Sequence, residues 1–280
     1  KNTKKKIIIL EGASWIFYSF IIMSYFKVFS TNTKIIYISH SIESEIRKKF
    51  SNKFIFILTK FLEKLVFKFS DISTSVSLEE KRQIKSLYKI NTILLPNGIH
   101  LDQVKKKKII SEKYIIYTGS YKYKPNKDAI DYINNILMPV IIQKNSNFKF
   151  VITGGGFDKE YPWVINKGIV KKKELYNLLY FSECLCVPLK FGSGTRIKII
   201  EALSLGTIVI SSKKGIEGIN LKSLNPPFVI NKKSDLIKII LQIIKNNKVI
   251  KKKSIKLSNY YLKKYSMKNI MKKFIDETKI

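Results

Sequence analysis

Short apolar segments that alternate with helix-like segments are the feature that most constrains the fold of this 280-residue chain. Their spacing is typical of βαβ units, in which parallel strands are buried beneath helices. Strands are predicted at Ile35–Ile38, Ile72–Ser75, Thr92–Leu95, Tyr114–Thr118, Phe148–Thr153, Cys184–Pro188, Ile208–Ser211 and Phe228–Ile230. Helices between them include Phe54–Phe69, Lys127–Gln143, Lys172–Leu179 and Ser234–Asn246. The pattern therefore predicts the α/β class.

The N-terminal segment combines a basic flank with an apolar stretch, as a membrane span does. Glu11 interrupts that stretch, and the uncharged part, Gly12–Phe26, is shorter than the roughly 20 residues that a membrane helix needs. We instead predict a buried parallel strand at Lys6–Leu10 and a helix at Ser14–Phe26 that lies against the sheet. The chain offers no other candidate apolar span.

A glycine turn stands directly before a predicted helix in Phe191–Gly206. Gly192 and Gly194 bracket Ser193, so the backbone there can adopt positive φ and approach a ligand closely. The helix, expected to start near Thr195, offers unpaired N–H groups, which favour an anion. An ordinary loop before a solvated basic turn is the alternative interpretation.

Two cations and a carboxylate follow the turn. Arg196 and Lys198 lie in the first helical turn, where positive charge opposes the helix dipole, so a bound polyanion explains them better than helix stability does. Glu201 follows Lys198 by three residues, on the same helical face, and its carboxylate would accept hydrogen bonds from hydroxyls. The combination predicts a phosphate and sugar site.

The residues from Leu175 to Ile219, with Pro188, Arg196, Lys198 and Gly215–Gly218, resemble the donor site of GT-B glycosyltransferases of group 1. Other segments resemble further parts of that family in the same order, namely Ile35–Glu43, Leu94–Gly98, Tyr117–Asp128, Phe150–Gly156 and Tyr265–Met267. The resemblance implies two Rossmann-like domains. Residues 1–106 would form the acceptor-side domain, 107–256 the nucleotide-sugar domain, and 257–280 a C-terminal helix that packs back on the first domain.

The chain departs from the family in two respects. The family usually has a glutamate eight residues before Glu201, where this chain has Ser193, as in a subgroup that reads Gly-Ser-Gly-Thr-Arg. The family's first domain also normally begins well ahead of the segment that contains His40, so we expect the first domain to be incomplete at its N-terminus.

Roles for individual residues follow from the resemblance. The expected catalytic residues are His40, Arg196, Lys198 and Glu201. The expected donor-binding residues are Gly119, Ser120, Gly154, Gly155, Ser193, Gly194, Thr195 and Glu217. For His40, and for the turns at Gly119 and Gly154, a purely structural role is the alternative. His100 is interpreted as a linker residue.

The resemblance implies a retaining transferase that moves a sugar from a nucleoside-diphosphate sugar to a glycan or lipid-linked acceptor. It implies no cofactor and no metal, since Arg196 and Lys198 would neutralise the diphosphate. It also suggests synthesis of lipopolysaccharide, exopolysaccharide or another cell-envelope glycan, in the cytoplasm or at the inner face of the cytoplasmic membrane. A sugar-nucleotide epimerase and a non-catalytic nucleotide-binding fragment are the alternatives.

The chain is strongly basic, with 53 Lys and Arg against 20 Asp and Glu and a formal net charge of +33. Such a charge attracts anionic lipid surfaces and other polyanions, although a compositional bias toward Lys, Ile and Asn would produce it as well. No nucleic-acid partner is expected, because no helix-turn-helix, zinc-finger or aromatic RNA-binding signature is present. Cys184 and Cys186 fall on one face of a strand and are predicted to be buried thiols.

Overall fold

A computed structural model describes residues 6–12, 16–30, 32–101, 106–192, 195–223, 226–232 and 234–279. The chain forms two compact units. Of the described residues, the first unit comprises those between 6 and 97, Thr195 and 270–279, and the second comprises those between 98 and 192 and between 196 and 269. Each unit contains one parallel sheet, so the predicted α/β architecture is confirmed. The domain ranges derived from the sequence stay a prediction.

The strands are β1 Lys6–Gly12, β2 Thr33–Ser39, β3 Ile72–Ser75, β4 Ile93–Leu94, β5 Tyr114–Thr118, β6 Lys149–Thr153, β7 Val164–Gly168, β8 Cys184–Val187, β9 Val209–Ser212 and β10 Phe228–Ile230. The α-helices are α1 Ile16–Phe29, α2 Glu43–Phe50, α3 Lys53–Phe69, α4 Leu78–Tyr88, α5 Lys124–Tyr132, α6 Met138–Lys144, α7 Lys172–Phe181, α8 Ile197–Ser204, α9 Asp235–Tyr265 and α10 Met267–Thr278. A π-helical stretch, Ile133–Leu137, joins α5 to α6.

The sheet of the first unit has the strand order β1-β2-β3-β4, and every neighbouring pair is parallel. Apolar side chains from α1, α3 and α4 cover one face and form a core with β1 and β2, made of Leu10, Ile16, Met23, Ile35, Tyr37, Ile42, Leu62, Val66, Phe67, Ile84 and Tyr88. The other face packs against α10 through Ile270 and Phe274. The last helix therefore belongs to the core of the first unit.

Strand β1 is less buried than the sequence indicated. It pairs with β2 alone, at the edge of the sheet, and Ile7 and Ile9 are 46% and 58% exposed. Successive side chains of a strand point to opposite faces. Leu10 therefore packs beneath the helices, while Ile7 and Ile9 lie on the opposite face. The predicted start of the next helix, Ser14, falls outside the described residues, and α1 is described from Ile16.

The sheet of the second unit has the order β10-β9-β8-β5-β6-β7. The chain builds outward from β5 to β7 and then returns to β8 on the other side of β5, so the strand order reverses between β5 and β8. Ligands of open α/β sheets bind at such a reversal, outside the carboxyl ends of the strands. Cys184 and Cys186 are buried thiols of β8, as predicted.

Some observed elements depart from the sequence prediction. Strand β7 was missed, because its half-exposed edge sequence, which includes Asn166 and Lys167, lacks an apolar run. The predicted helix Lys127–Gln143 is divided by the π-helical stretch. The predicted helix Leu257–Asp276 is broken at Ser266, which forms a backbone bridge with Ile99. The Ile99 N–H donates to the Tyr265 carbonyl at 2.8 Å, and the Ile99 carbonyl accepts from the Met267 N–H at 3.1 Å.

In the part of the chain that the structure describes, no helix has both the length and the apolarity that crossing a bilayer requires.

Candidate nucleotide-sugar site

The second unit gathers most of the predicted site residues at the carboxyl ends of its strands. Gly119 follows β5, Gly154 follows β6, and α8 begins after the loop that leaves β8. Because β5, β6 and β8 are parallel neighbours, their carboxyl ends meet at one edge of the sheet. The geometry at this edge decides which residues can act together.

Gly119 lies against the ammonium group of Lys198. Its φ is +133°, and a Cβ at this position would lie 2.8 Å from Lys198 Nζ and 2.7 Å from Asn126 Nδ2. Glycine is therefore required both by the backbone conformation and by the close approach of the lysine. The Gly119 N–H donates to the Thr153 carbonyl at 2.8 Å. In this structure that N–H is consequently occupied within the protein, and Gly119 contributes space for the cation.

The second glycine turn packs directly on the first. Gly154 has a φ of +111°, and a Cβ there would lie 2.5 Å from the carbonyl carbon of Gly119. The Ser120 hydroxyl donates to the Gly155 carbonyl at 3.3 Å, and the Tyr121 N–H donates to the same oxygen at 2.9 Å. The structure thus brings Gly119, Ser120, Gly154 and Gly155 together.

Lys198 is held by an aromatic ring and an amide. Its Nζ lies 4.2 Å from the centre of the Tyr117 ring and donates to Asn126 Oδ1 at 3.1 Å. Burial, together with the positive charge of Arg196, lowers the pKa of Lys198 to about 7. Among the described residues, no carboxylate lies within 4.0 Å of this ammonium. The site therefore concentrates positive charge where little water remains to solvate it.

Asn126 fixes this lysine in place. Its Oδ1 also accepts from the Tyr117 hydroxyl at 2.8 Å, and its Nδ2 donates to the Ser120 carbonyl at 2.9 Å. One amide therefore links β5, the first glycine turn and α8. Tyr117 and Asn126 lie within the segment Tyr117–Asp128 that the sequence comparison singled out, but nothing in their spacing indicated that they contact Lys198.

Arg196 is the second cation of the site and is only 9% exposed. Burial lowers its pKa, while Tyr123 and Glu217 act in the opposite direction. The position of a Cβ on Gly192 would lie 3.0 Å from Arg196 Nη2 and 3.5 Å from the Tyr123 hydroxyl. The guanidinium consequently lies beside the glycine turn. Arg196 itself immediately precedes α8 in the chain.

Glu201 is engaged by protein groups. Its Oε1 accepts from the Tyr176 hydroxyl at 3.3 Å and lies 3.5 Å from Lys172 Nζ. The Tyr176 hydroxyl also lies 3.1 Å from the His100 carbonyl oxygen. The sequence suggested a carboxylate that is available to ligand hydroxyls. Here a hydroxyl would share Glu201 with α7 or displace one of these contacts.

Glu217 and the glycine turn complete the predicted donor set. Glu217 pairs closely with Lys214, in the loop that follows β9, and influences Arg196 electrostatically. Ser193 and Gly194 lie outside the described residues. The Thr195 hydroxyl is buried and has no hydrogen-bond partner among the described residues.

His40 belongs to the first unit, where it follows β2 and is half-buried. Hydrogen bonds made by residues on either side of His40 define the conformation of the loop that contains it. The Ser39 hydroxyl donates to Glu80 Oε1 at 2.8 Å. The N–H groups of Glu43 and Ser44, at the start of α2, donate to the Glu63 carboxylate at 2.6 and 3.2 Å.

Glu63 was not predicted to matter, because in sequence it is an isolated acid within the helix pattern of α3. The structure buries it completely, and the Tyr88 hydroxyl donates to it at 2.6 Å. Burial raises its pKa, although its hydrogen bonds act in the opposite direction. A carboxylate at the N-terminus of α2 satisfies N–H groups that a helix leaves unpaired and favours the helix dipole. Glu63 therefore holds the helix that follows the His40 loop.

The low pKa of Lys198 predicts a pH-dependent affinity for diphosphates. The charged lysine binds the anion, so affinity should fall as pH rises above about 7. If the bound anion restores an ordinary lysine pKa, the association constant for UDP should fall about 25-fold from pH 6.5 to 8.5. Calorimetric titration at several pH values measures this fall.

A Lys198→Arg variant provides the control, because its guanidinium keeps its charge across this range. An equally steep fall in that variant would contradict the assignment to Lys198. The same pKa predicts that the ligand-free chain gains stability as pH rises from about 7 toward 10, since the unfolded state then binds more protons than the folded state.

The second unit resembles a known family of proteins. Residues 112–246 match the family described as "Glycosyl transferases group 1". A curated relative, the CRISPR system CMR subunit Cmr7 1 of Saccharolobus solfataricus, is 29% identical over 147 residues, which cover 49% of this chain and 68% of that protein. At this identity the relative assigns no family to the chain. The family match, in contrast, spans the strands and the helix that form the site.

Solved structures resemble the chain over nearly its whole length. S. aureus TarM has a TM-score of 0.75 at 15% identity, over 99% of this chain and 56% of TarM. Anabaena HepE, crystallised with UDP-glucose, has a TM-score of 0.71 at 11% identity, over 97% of this chain and 78% of HepE.

A trehalose-phosphate synthase of Burkholderia xenovorans has a TM-score of 0.77 at 8% identity, over 99% of this chain and 74% of that enzyme. The chain spans little more than half the length of TarM. The likenesses establish the GT-B fold with its Rossmann-like α/β domains, and residues 112–246 match group 1 glycosyl transferases.

Proposed function

We propose that this chain transfers a sugar from a nucleoside-diphosphate sugar to a glycan or lipid-linked acceptor. Support comes from the family match of residues 112–246 and from the fold shared with proteins crystallised with UDP or UDP-glucose. The observation that carries the proposal is the environment of Lys198. The ammonium of this half-buried lysine is influenced by the charge of Arg196 and packs on a glycine turn. No carboxylate of the described residues lies within ion-pair distance of it.

A diphosphate supplies the missing negative charge. As the bond between the donor sugar and the diphosphate breaks, negative charge builds on the departing phosphate oxygens. Arg196 and Lys198 would stabilise that charge, and their effect is large because the site is poorly solvated. Asn126 and the Tyr117 ring hold Lys198 in position before the donor arrives, so little reorganisation is needed during the reaction.

The finer features of the reaction belong to the same proposal. Two protein cations provide the charge that a divalent metal provides in other transferases, so we propose a metal-independent reaction. We also propose retention of anomeric configuration, with His40 beside the transferred sugar and Glu201 beside donor hydroxyls. The acceptor would belong to lipopolysaccharide, exopolysaccharide or another envelope glycan, with the protein peripheral at the inner face of the cytoplasmic membrane.

The test is a calorimetric titration of the full chain with UDP, GDP and ADP at physiological salt. We expect one of the three to bind at least tenfold more tightly than the others, with no change when EDTA is present. The matching donor sugars are then incubated with and without glycan acceptors, and products are identified by mass spectrometry.

Three outcomes would contradict the proposal. If a folded chain binds none of the diphosphates, the candidate site does not bind a nucleotide donor. Isomerisation of the donor without an acceptor would indicate an epimerase. Tight diphosphate binding with neither transfer nor hydrolysis, for any donor sugar of that base, would indicate a nucleotide-binding protein without transferase activity.

A further inference from the structure

Helix α3 exposes a wide apolar strip although it is packed in the first unit. Thr59, Leu62, Glu63, Val66 and Phe67 face the core. Large apolar side chains lie on the opposite face, with exposures between 41% and 74%, namely Phe54, Ile57, Leu58 and Phe61, and Phe69 at 48% extends the same strip. At 100° per residue these positions share one side of the helix. Burying that side of α3 against a partner would remove a large apolar area from water.

Lysines border this strip along one edge. Lys53, Lys60, Lys64 and Lys68 are exposed and recur on a single side of α3, next to the apolar positions. Lys60 and Lys68 lie near the rings of Phe56 and Phe69, at 6.0 and 5.6 Å from their centres. The outer face of α3 thus combines an apolar strip with a ridge of positive charge.

Helix α1 extends the apolar area. It packs beside α3, and Met23 of α1 shares a core with Leu62 and Val66 of α3. Its outward aromatic and aliphatic side chains are all at least 41% exposed, namely Phe17, Tyr18, Ile21, Ile22, Tyr25, Val28 and Phe29. Its one charged residue, Lys27, is exposed in the last turn and pairs with Asp71 at 2.9 Å. We call the exposed side chains of α1 and α3, with the four lysines, the α1–α3 surface.

Charge decides between the kinds of partner that could cover the α1–α3 surface. Glu63 is the only acid in the sequences of α1 and α3, and it is completely buried. A second copy of the chain would place the same lysines near one another, and like charges would oppose the contact. An anionic lipid surface offers negative headgroups for the lysines and acyl chains for the apolar strip, the combination that interfacial helices use.

We propose that the α1–α3 surface docks on a bilayer that contains anionic lipids, with both helices lying in the plane of the interface. At 14 and 17 residues the helices are too short to span the bilayer. This inference deepens the proposed function, because it assigns named residues to the membrane at which a lipid-linked acceptor would be glycosylated. It makes no use of the donor site, so the two can fail separately.

The test measures partition of the full chain onto vesicles of phosphatidylcholine, with and without phosphatidylglycerol, by flotation. We expect binding only to vesicles that contain phosphatidylglycerol. An apolar variant (Phe54→Gln, Ile57→Gln, Phe61→Gln) should bind at least tenfold more weakly. A lysine variant (Lys53→Gln, Lys60→Gln, Lys64→Gln, Lys68→Gln) should show a similar loss of vesicle binding.

A charge-matched control separates this surface from the general charge of the chain. It replaces four exposed lysines of the second unit: Lys171→Gln, Lys173→Gln, Lys248→Gln and Lys252→Gln. Its affinity for the vesicles should stay within twofold of that of the unaltered chain. An equal loss in this control, or an apolar variant that binds normally, would overturn the assignment.

Folding and self-association are followed in the same samples. Circular dichroism and titration with the preferred diphosphate verify that each variant is folded. Diphosphate binding without vesicle binding would overturn the docking surface and leave the proposed function standing, whereas vesicle binding without diphosphate binding would do the reverse. A dimer in sedimentation experiments that the apolar variant dissociates, without vesicle binding, would assign the surface to a second copy.

Discussion

Replacing the two cations of the site, with Arg196→Gln and Lys198→Met in one chain, should weaken diphosphate binding on the order of 1,000-fold. A hydrogen bond to a charged group contributes about 1.5–3 kcal/mol, and two such contacts would be lost. The stability of this double variant should not fall along with its affinity, because both side chains are largely buried and burial disfavours their charged forms. Calorimetry measures the affinity, and thermal unfolding measures the stability.

The matched control is Lys81→Met with Arg82→Gln on α4 of the first unit. This pair removes the same two charges from a chain whose net charge is +33. We expect its affinity to stay within about twofold, since solvent and salt screen surface charges that lie outside the site. A comparable loss in the control would mean that the general field of the protein, and not the local site, binds the nucleotide. Unchanged binding by the double variant would place the donor elsewhere.

The Gly119→Ala variant should lose both stability and donor affinity. Its methyl group would lie 2.8 Å from Lys198 Nζ and 2.7 Å from Asn126 Nδ2, so the lysine and the amide that holds it must both move. Overpacking and the positive φ together should lower the free energy of unfolding by about 2–4 kcal/mol. Displacement of the ammonium should lower diphosphate affinity by at least about tenfold, the equivalent of 1.4 kcal/mol.

A Gly168→Ala variant distinguishes the effect of backbone strain from the effect of the contact with Lys198. Gly168 has a φ of +57°, and a Cβ there would meet nothing within 4 Å. Its substitution should therefore cost only about 1–2 kcal/mol of conformational strain and leave affinity unchanged. Urea unfolding and calorimetry compare the two variants. Equal effects on affinity would show that the close approach of Gly119 to Lys198 has no role in binding.

Apolar periodicity was sufficient to predict most strands, because buried parallel strands are short, apolar and bounded by turns. Strands β3, β5 and β10 have their predicted limits. The pattern fails where a strand is not buried on both faces, as with β7, and where tertiary contact interrupts a helix, as Ile99 does at Ser266. Such contacts join residues far apart in sequence, and no local pattern records them.

The candidate site was predictable as a motif but not as a set of contacts. The glycine turn and the order of Arg196, Lys198 and Glu201 are visible in sequence. That Asn126 holds Lys198, and that Tyr176 and Lys172 already engage Glu201, depends on how β5, α7 and α8 pack together. Whether the predicted residues bind a donor stays a prediction.

On the proposed lipid surface, helix α3 would set the depth of the first unit. Its outer face carries Phe54 and Phe61, and its inner face carries Glu63, which binds the backbone of Glu43 and Ser44. A helix with its side chains is about 10–12 Å across. When α3 rests on lipid, the start of α2 is therefore held about one helix diameter above the interface. An acceptor that reaches the His40 loop would then need a headgroup or a first sugar that projects by about that distance. The thickness of one helix would in this way select acceptors by length.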